Sequence, residues 1–271
     1  MNLLLVDPGE VGADGVARIG GRRAEHVARV LGATPGARVR TGVLGGAIGQ
    51  ATVIAVGGGT LVIDLAELAT APAPERGPPL DVILAVPRPK ALSRTVQTLA
   101  AMGVRRVDLV NAWRVDASYF VSPRLGAAAL DEDARLGAEQ GVTTHLPVIE
   151  VHRLLVPFLV EVLAPRLAAW RVAAPLRCVL AHPAAAAALE RIVSPGDVSA
   201  VVLAIGPEGG WIDRELESFT GAGFAAATFG PAVLRTETAV AAAVAQIALL
   251  RRLRSLDTSH GGADPDQAWG D

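Results

Sequence analysis

Two short segments of this chain carry residue types at spacings that can do chemistry. The first is Ile205-Gly206-Pro207-Glu208-Gly209-Gly210-Trp211. It follows a continuous apolar run, Ala200 to Ile205, of the kind that fills the middle of a parallel sheet. A helix reads from Asp213 to Thr220, with Asp213 as N-cap and Glu215 and Glu217 in its first turn. Ligands of α/β sheets bind beyond the carboxyl ends of strands. Three glycines in five residues let the backbone approach a ligand closely and offer it N–H groups. An ordinary strand-to-helix turn does not need so many glycines around a carboxylate and a proline. No Gly-Lys-Ser/Thr follows, so this is not a Walker loop, and its spacing and late position exclude a dinucleotide fingerprint. The second segment is Phe229-Gly230-Pro231-Ala232-Val233-Leu234-Arg235-Thr236-Glu237-Thr238-Ala239. Thr236 suits the cap of a helix starting at Thr238, and Glu237 its first turn. Arg235 has no such structural explanation. An arginine at the mouth of a sheet beside a glycine loop is placed to hold a phosphate or carboxylate bidentately.

The elements that position these segments read as two parts. Asn2–Val6, Ala37–Val43, Ala47–Val56 and Thr60–Leu65 are short strands divided by Gly45-Gly46 and Gly57-Gly58-Gly59, with one helical pattern at Arg22–Leu31. A small barrel over residues 1–70 is the expected result. Residues 71–79 are proline-rich and read as a linker. From Leu80 the rhythm becomes β/α. Strands are expected at Leu80–Val86, Arg106–Asn111, Leu176–Ala181, Ala200–Ile205 and Ala225–Phe229. Helices are expected at Arg88–Met102, Leu125–Gln140 (interrupted by Gly137), Ala184–Val193 and Thr238–Leu253. That gives an α/β domain over 80–255 and a flexible tail over 256–271.

Composition removes other classes. Of 271 residues, 51% are apolar and 19% charged, so the chain can bury a core and is not globally disordered. Aromatics at 4% argue against an array of base-stacking platforms. Cys178 is the single cysteine, which excludes a disulfide scaffold, and the histidines form no metal-ligand spacing, so no metal is expected. No run is long enough to span a membrane and no signal peptide is read, which makes the expected location cytoplasmic. The net charge is −2, yet Arg18–Arg40 holds six arginines against Glu25, and Arg88–Arg124 seven basic residues against Asp108 and Asp116. Such clusters are either an electrostatic footprint for nucleic acid or two solvated faces.

The two C-terminal segments resemble those of the RsmE family, SPOUT-class methyltransferases that use S-adenosylmethionine. Arg23, His26, Val30 and Leu31 are similar to a helix of the family's PUA-like N-terminal barrel. Val86-Pro87-Arg88-Pro89-Lys90, Ser118 to Pro123 and Leu136 to Gln140 resemble further blocks. The resemblance implies a SPOUT-type, trefoil-knotted parallel-sheet domain behind a PUA-like barrel. It also implies a homodimer with no membrane attachment, and methylation of N3 of a uridine in 16S ribosomal RNA within the small subunit.

The resemblance assigns roles to residues. Leu203, Ile205, Gly206, Pro207, Gly209, Gly210, Phe229, Gly230, Leu234, Thr236 and Ala239 would hold S-adenosylmethionine. Arg235 would grip the substrate phosphate or stabilise the developing uracil anion. Glu208 would be either the proton acceptor or a carboxylate that orients the loop. Arg22, Arg23, His26, Arg29, Arg88 and Lys90, the only lysine, would contact RNA, with His26 alternatively a packed or capping residue. Glu139 and Gln140 would face the site or cap a helix. Ala101, Asp116 and Val142 depart from the family pattern by losing charge. They keep open an alternative in which another RNA such as tRNA is the substrate. A non-catalytic RNA-binding protein is the third reading.

Overall fold

The computed structural model describes residues 2–68 and 70–257. Five strands, β1 (Leu4–Val6), β2 (Val16–Gly20), β3 (Arg38–Val43), β4 (Ile48–Gly57) and β5 (Thr60–Asp64), form a mixed sheet in the order β1-β3-β4-β5-β2. β1 runs parallel to β3 and the other pairs are antiparallel. Its core is made by alternate residues, among them Val6, Ala17, Ile19, Val53, Leu61 and Ile63. The glycine triplet closes the β4–β5 hairpin: Gly57 pairs with Thr60, and Gly58 and Gly59 have φ of 59° and 77°. Two positive φ values in a two-residue loop are what the right-handed strand twist asks for.

Six strands, β6 (Leu80–Ala85), β7 (Arg106–Val110), β8 (Val148–His152), β9 (Leu176–Ala181), β10 (Ala200–Ile205) and β11 (Ala225–Ala227), form a second sheet in the order β11-β9-β10-β6-β7-β8. β9 pairs in parallel with both β10 and β11. The helices are α1 (Gly21–Glu25), α2 (Pro89–Ala101), α3 (Ala127–Gly141), α4 (Leu155–Pro157), α5 (Ala164–Ala173), α6 (Asp213–Gly221) and α7 (Thr236–Asp257). The chain divides into two compact units. One takes in residues up to Asp81 with Val86–Leu109 and Asp116–Val151; the other takes in Val82–Ala85, Val110–Val115 and the described residues from His152 onward. No described helix is long and apolar enough to cross a membrane.

Several expectations need correction. The Arg22–Leu31 helix is α1 followed by a π segment, His26–Val30, in which the Leu31 amide reaches the His26 carbonyl. Ala184–Val193 is not a helix. The backbone there is used sideways: the Thr228 amide bonds Ala187, the Leu189 amide bonds Thr228, and only Leu189–Arg191 makes a helical turn. Asp213 is the first residue of α6 rather than its cap, which is Ile212. β2, β8 and the α4–α5 segment went unread. Pro157 and Pro165 obscure the last, and a π segment over Phe158–Leu163 links α4 to α5 between them. The tail read from residue 256 lies, from residue 258, outside the described residues.

Gly137 does not interrupt α3. A Cβ there would strike the backbone carbonyl of Gln97 in α2, and one on Gly141 would strike that of Ala101. The two glycines let α2 and α3 approach backbone to backbone. An open helical glycine gains about 1 kcal/mol when replaced by alanine. Here the sign reverses: Gly137→Ala is expected to cost about 1–3 kcal/mol through overpacking, read as a lower urea midpoint.

Candidate functional site

A cleft of about 320 Å³ opens in the second unit where β9, β10 and β11 end side by side. It lies at the carboxyl ends of parallel strands, the general position for ligands in such sheets. Ile205, Gly206, Pro207, Glu208, Gly209 and Gly210 line it from β10, and Phe229, Gly230, Leu234, Thr236 and Ala239 from the chain beyond β11. Leu203 is elsewhere, fully buried inside β10. Arg235 is exposed and does not line the cleft. His182 and Pro183 after β9 and Arg114 after β7 were missed by sequence reasoning and complete the wall, together with Ala232 and Val233 of the second segment.

Each glycine of the first loop has its own reason. Gly210, at φ 76°, closes a tight turn by donating to the Pro207 carbonyl at 2.8 Å. A Cβ on Gly206 would sit 3.0 Å from Trp211 Nε1, and one on Gly209 would sit 3.0 Å from Arg114 Cδ. Arg114 also donates to the Gly209 carbonyl. Trp211 is 4% exposed and packs on Phe219, whose ring centroid is 4.9 Å away. Its Nε1–H is buried without a hydrogen-bond partner among the described residues. A buried unpaired donor costs about 1–3 kcal/mol. At a cleft wall it marks a position that a ligand acceptor can satisfy.

The loop is braced from behind by Glu215, which is 7% exposed. One carboxylate oxygen accepts from the Trp113 amide at 2.8 Å and the other from Ile212 at 3.0 Å. Glu215→Ala leaves both amides without that partner and is expected to cost about 3 kcal/mol in denaturant unfolding. On the opposite wall, Gln246 of α7 donates to the Phe229 carbonyl at 2.9 Å. The Ala239 amide bonds the Arg235 carbonyl, so α7 begins at Thr236 rather than Thr238. The Arg235 guanidinium has no ion pair among the described residues.

The candidate RNA contacts lie in the first unit. Arg22 pairs with Glu132 at 3.1 Å and with Glu139 at 3.0 Å. Arg23 bonds Glu10 and the Leu5 carbonyl. Burial, with neighbouring positive charge including Arg22, holds His26 below its ordinary pKa, which favours the neutral imidazole. Arg29 and Lys90 are exposed with no ion pair among the described residues, and Arg88 is exposed at the N-cap of α2.

Glu139 is 2% exposed, and burial raises its pKa against the opposing pull of Arg22. A carboxyl whose folded pKa is raised binds its proton better in the folded state. Stability is therefore expected to fall as pH rises from the ordinary carboxylate range through that raised value. Glu139→Gln should flatten this slope in unfolding measured against pH.

Comparison with known proteins places the fold. Residues 75–248 match the profile of the RNA methyltransferase domain. The chain is 28% identical over 252 residues to ribosomal RNA small subunit methyltransferase E of Treponema pallidum, covering 91% of this chain and 90% of that protein. It is 29% identical over 244 residues to the protein of that name in Mycobacterium bovis, covering 87% of each. A crystal structure of ribosomal RNA small subunit methyltransferase E from Neisseria gonorrhoeae, bound to S-adenosyl methionine, superposes with a TM-score of 0.72. It is 21% identical and covers 92% of this chain and 98% of that one.

Proposed function

We propose, from the premise that this chain belongs to the RNA methyltransferase domain family, that it transfers a methyl group from S-adenosylmethionine to N3 of a uridine in 16S ribosomal RNA of the small subunit. The observation that carries the reading is the cleft at the ends of β9, β10 and β11, with its glycine loop and, in its wall, Trp211 with a buried N–H that lacks a partner among the described residues. These residues suit the methyl donor. Gly206, Gly209 and Gly210 leave backbone accessible, while Phe229, Val233 and Leu234 supply apolar cover for an adenine. When bound, S-adenosylmethionine supplies an electrophilic methyl on sulfonium. Uracil N3 must lose its proton to become a nucleophile. Arg235 stabilises the resulting anion or holds a neighbouring phosphate, and Glu208, on the cleft wall, is the candidate acceptor of the proton.

The wider assignment follows the same reading. Residues 1–70 serve as a PUA-like RNA-binding barrel, 71–79 as a linker and 80–255 as a SPOUT domain with a trefoil knot. Support for the knot comes from the path of the chain. β11 lies beyond β9, and α7 then returns toward β10, where the Leu250 carbonyl accepts from Gly196 and Arg251 donates to Ser199. Arg29, Arg88 and Lys90 carry charge to RNA phosphate, and Arg22, Arg23 and His26 shape that face. The enzyme works as a cytoplasmic homodimer, for which a sedimentation mass of twice the chain is the check.

Two of the three departures from the family pattern, Asp116 and Val142, have local explanations that do not call for another RNA. The Asp116 carboxylate accepts from the Ser118 amide at 2.8 Å and caps the turn at Ala117–Val121. Val142 ends α3 at φ 56° and ψ 50°, packed against the cluster of Leu3, Leu5 and Ala138. The deciding experiment is transfer from labelled S-adenosylmethionine to small subunits lacking the modification, followed by nucleoside mass spectrometry. Label in 3-methyluridine is the expected result; label in another nucleoside, or none, overturns the assignment.

A further inference from the structure

The geometry points to Trp113 as an RNA base-stacking residue, presented on a pre-ordered loop beside the cleft. This rests on the reading that the substrate is RNA. Trp113 is 79% exposed. Isolated exposed apolar residues are ordinary, but a tryptophan is highly buried on average, and nearly complete exposure of so large a ring leaves it unsatisfied by the fold. Sequence reasoning passed over it because aromatics are scarce.

The loop that carries it is not loose. The Trp113 amide is held by the buried Glu215 carboxylate at 2.8 Å. Arg114, the next residue, lines the cleft and bonds Gly209 of the glycine loop. The Val115 amide donates to Ala112 at 3.0 Å, and Asn111 Nδ2 donates to the Arg153 carbonyl at 3.2 Å. Four hydrogen bonds, from Asn111, Trp113, Arg114 and Val115, fix a segment whose outermost side chain is exposed. Ordering a loop in advance removes part of the entropy cost of binding. A rigid ring next to a cationic arginine suits a nucleobase, which stacks on the indole while its phosphates meet positive charge. Transfer to a base also requires that base to leave its own stack, and an external aromatic surface compensates the stacking that it or its neighbour loses. Glu215 is the positioning residue of this arrangement, and Trp113 is the contact.

The test compares Trp113→Ala, Trp113→Leu and Trp113→Phe in the full chain. Stacking on one base is lost in the first two, and the KM for RNA is expected to rise roughly 5- to 150-fold. The affinity for S-adenosylmethionine, measured by calorimetry, and the urea midpoint should hold. Trp113→Phe should keep most of the wild-type KM. Equal KM in all three variants, or rescue by leucine as complete as by phenylalanine, overturns stacking. So does a Trp113→Ala variant that changes from dimer to monomer in sedimentation without a change in KM, since the ring would then be a subunit contact. A second readout needs no turnover. Titration with a single-stranded, uridine-containing oligoribonucleotide should quench tryptophan fluorescence in the wild type and not in Trp113→Phe; equal quenching in both overturns the proposal. Quenching by RNA in a chain that methylates no ribosomal RNA would sink the uridine assignment and leave this contact standing. Methylation with no role for Trp113 would do the reverse.

Discussion

Replacing Arg235 with alanine is expected to lower kcat for methyl transfer by about 10²–10³-fold while leaving the affinity for S-adenosylmethionine unchanged. The magnitude is that of removing one group aimed at charge that develops in a transition state. The separation of effects follows from where the residue sits. Its carbonyl starts α7, a main-chain role that alanine keeps. Its guanidinium is exposed, has no ion pair among the described residues and does not line the cleft, so neither the fold nor the donor site depends on it. Arg235→Lys retains the charge but not the planar fork, and should fall between wild type and alanine. Steady-state kinetics on small subunits, paired with calorimetry of donor binding, checks this. A kcat that survives in Arg235→Ala, or a donor affinity lost along with it, would remove Arg235 from the reaction and return the arginine to a surface role.

The parts of the fold legible in the sequence were those where one physical rule acts alone. β9 and β10 were read to the residue, β10 because a central parallel strand is a continuous apolar run with no competing pattern, and β9 because only Arg177 near its start breaks such a run. The β4–β5 hairpin was read because only glycine tolerates two successive positive φ values. Reading failed where two rules compete. Ala184-Ala185-Ala186-Ala187-Ala188 has high helical propensity, yet the strand-like demands of Thr228 claim its backbone groups. Pro157 and Pro165 broke a real helical segment into pieces too short to recognise, since nothing in the pattern announces a π segment. Gly137 looked like a helix breaker because its partner, the Gln97 carbonyl, is far away in sequence.

The candidate site divides in the same way. The two glycine-bearing loops were legible because they are contiguous, and nearly every residue proposed from them lines one cleft. Arg114, His182 and Trp113 were not, because they are lone side chains brought in by the ends of two other strands, β7 and β9. Glu215 was read as a favourable charge in a helix's first turn. The fold shows a larger task, the joining of two loops through Trp113 and Ile212. The arginines of the first unit show the limit of charge counting. A local excess of positive charge does not reveal that Arg22 and Arg23 face Glu132, Glu139 and Glu10, acids drawn from distant parts of the chain.

Gly206→Val should weaken S-adenosylmethionine binding by about 100-fold, equivalent to about 2.7 kcal/mol, and should cost the fold far less. Gly206 is the cleanest of the loop glycines to test because its φ is not in the positive range that strains other residues, whereas Gly210 sits at 76°. A substitution at Gly210 would mix backbone strain with loss of the site. At Gly206 the obstacle is local. The first added carbon meets the edge of the Trp211 indole at 3.0 Å, a contact tighter than ordinary packing. Alanine there can be absorbed by a small shift of the ring, so Gly206→Ala should bind the donor only modestly less well. The two methyl groups of valine have no such room, because Trp211 packs on Phe219, whose ring in turn meets that of Phe224. They must project into a cleft of only about 320 Å³ or displace the indole. Calorimetric titration of the glycine, alanine and valine forms, with urea midpoints alongside, separates occlusion from unfolding. A valine form that binds the donor as the wild type does would place the methyl donor somewhere other than this cleft.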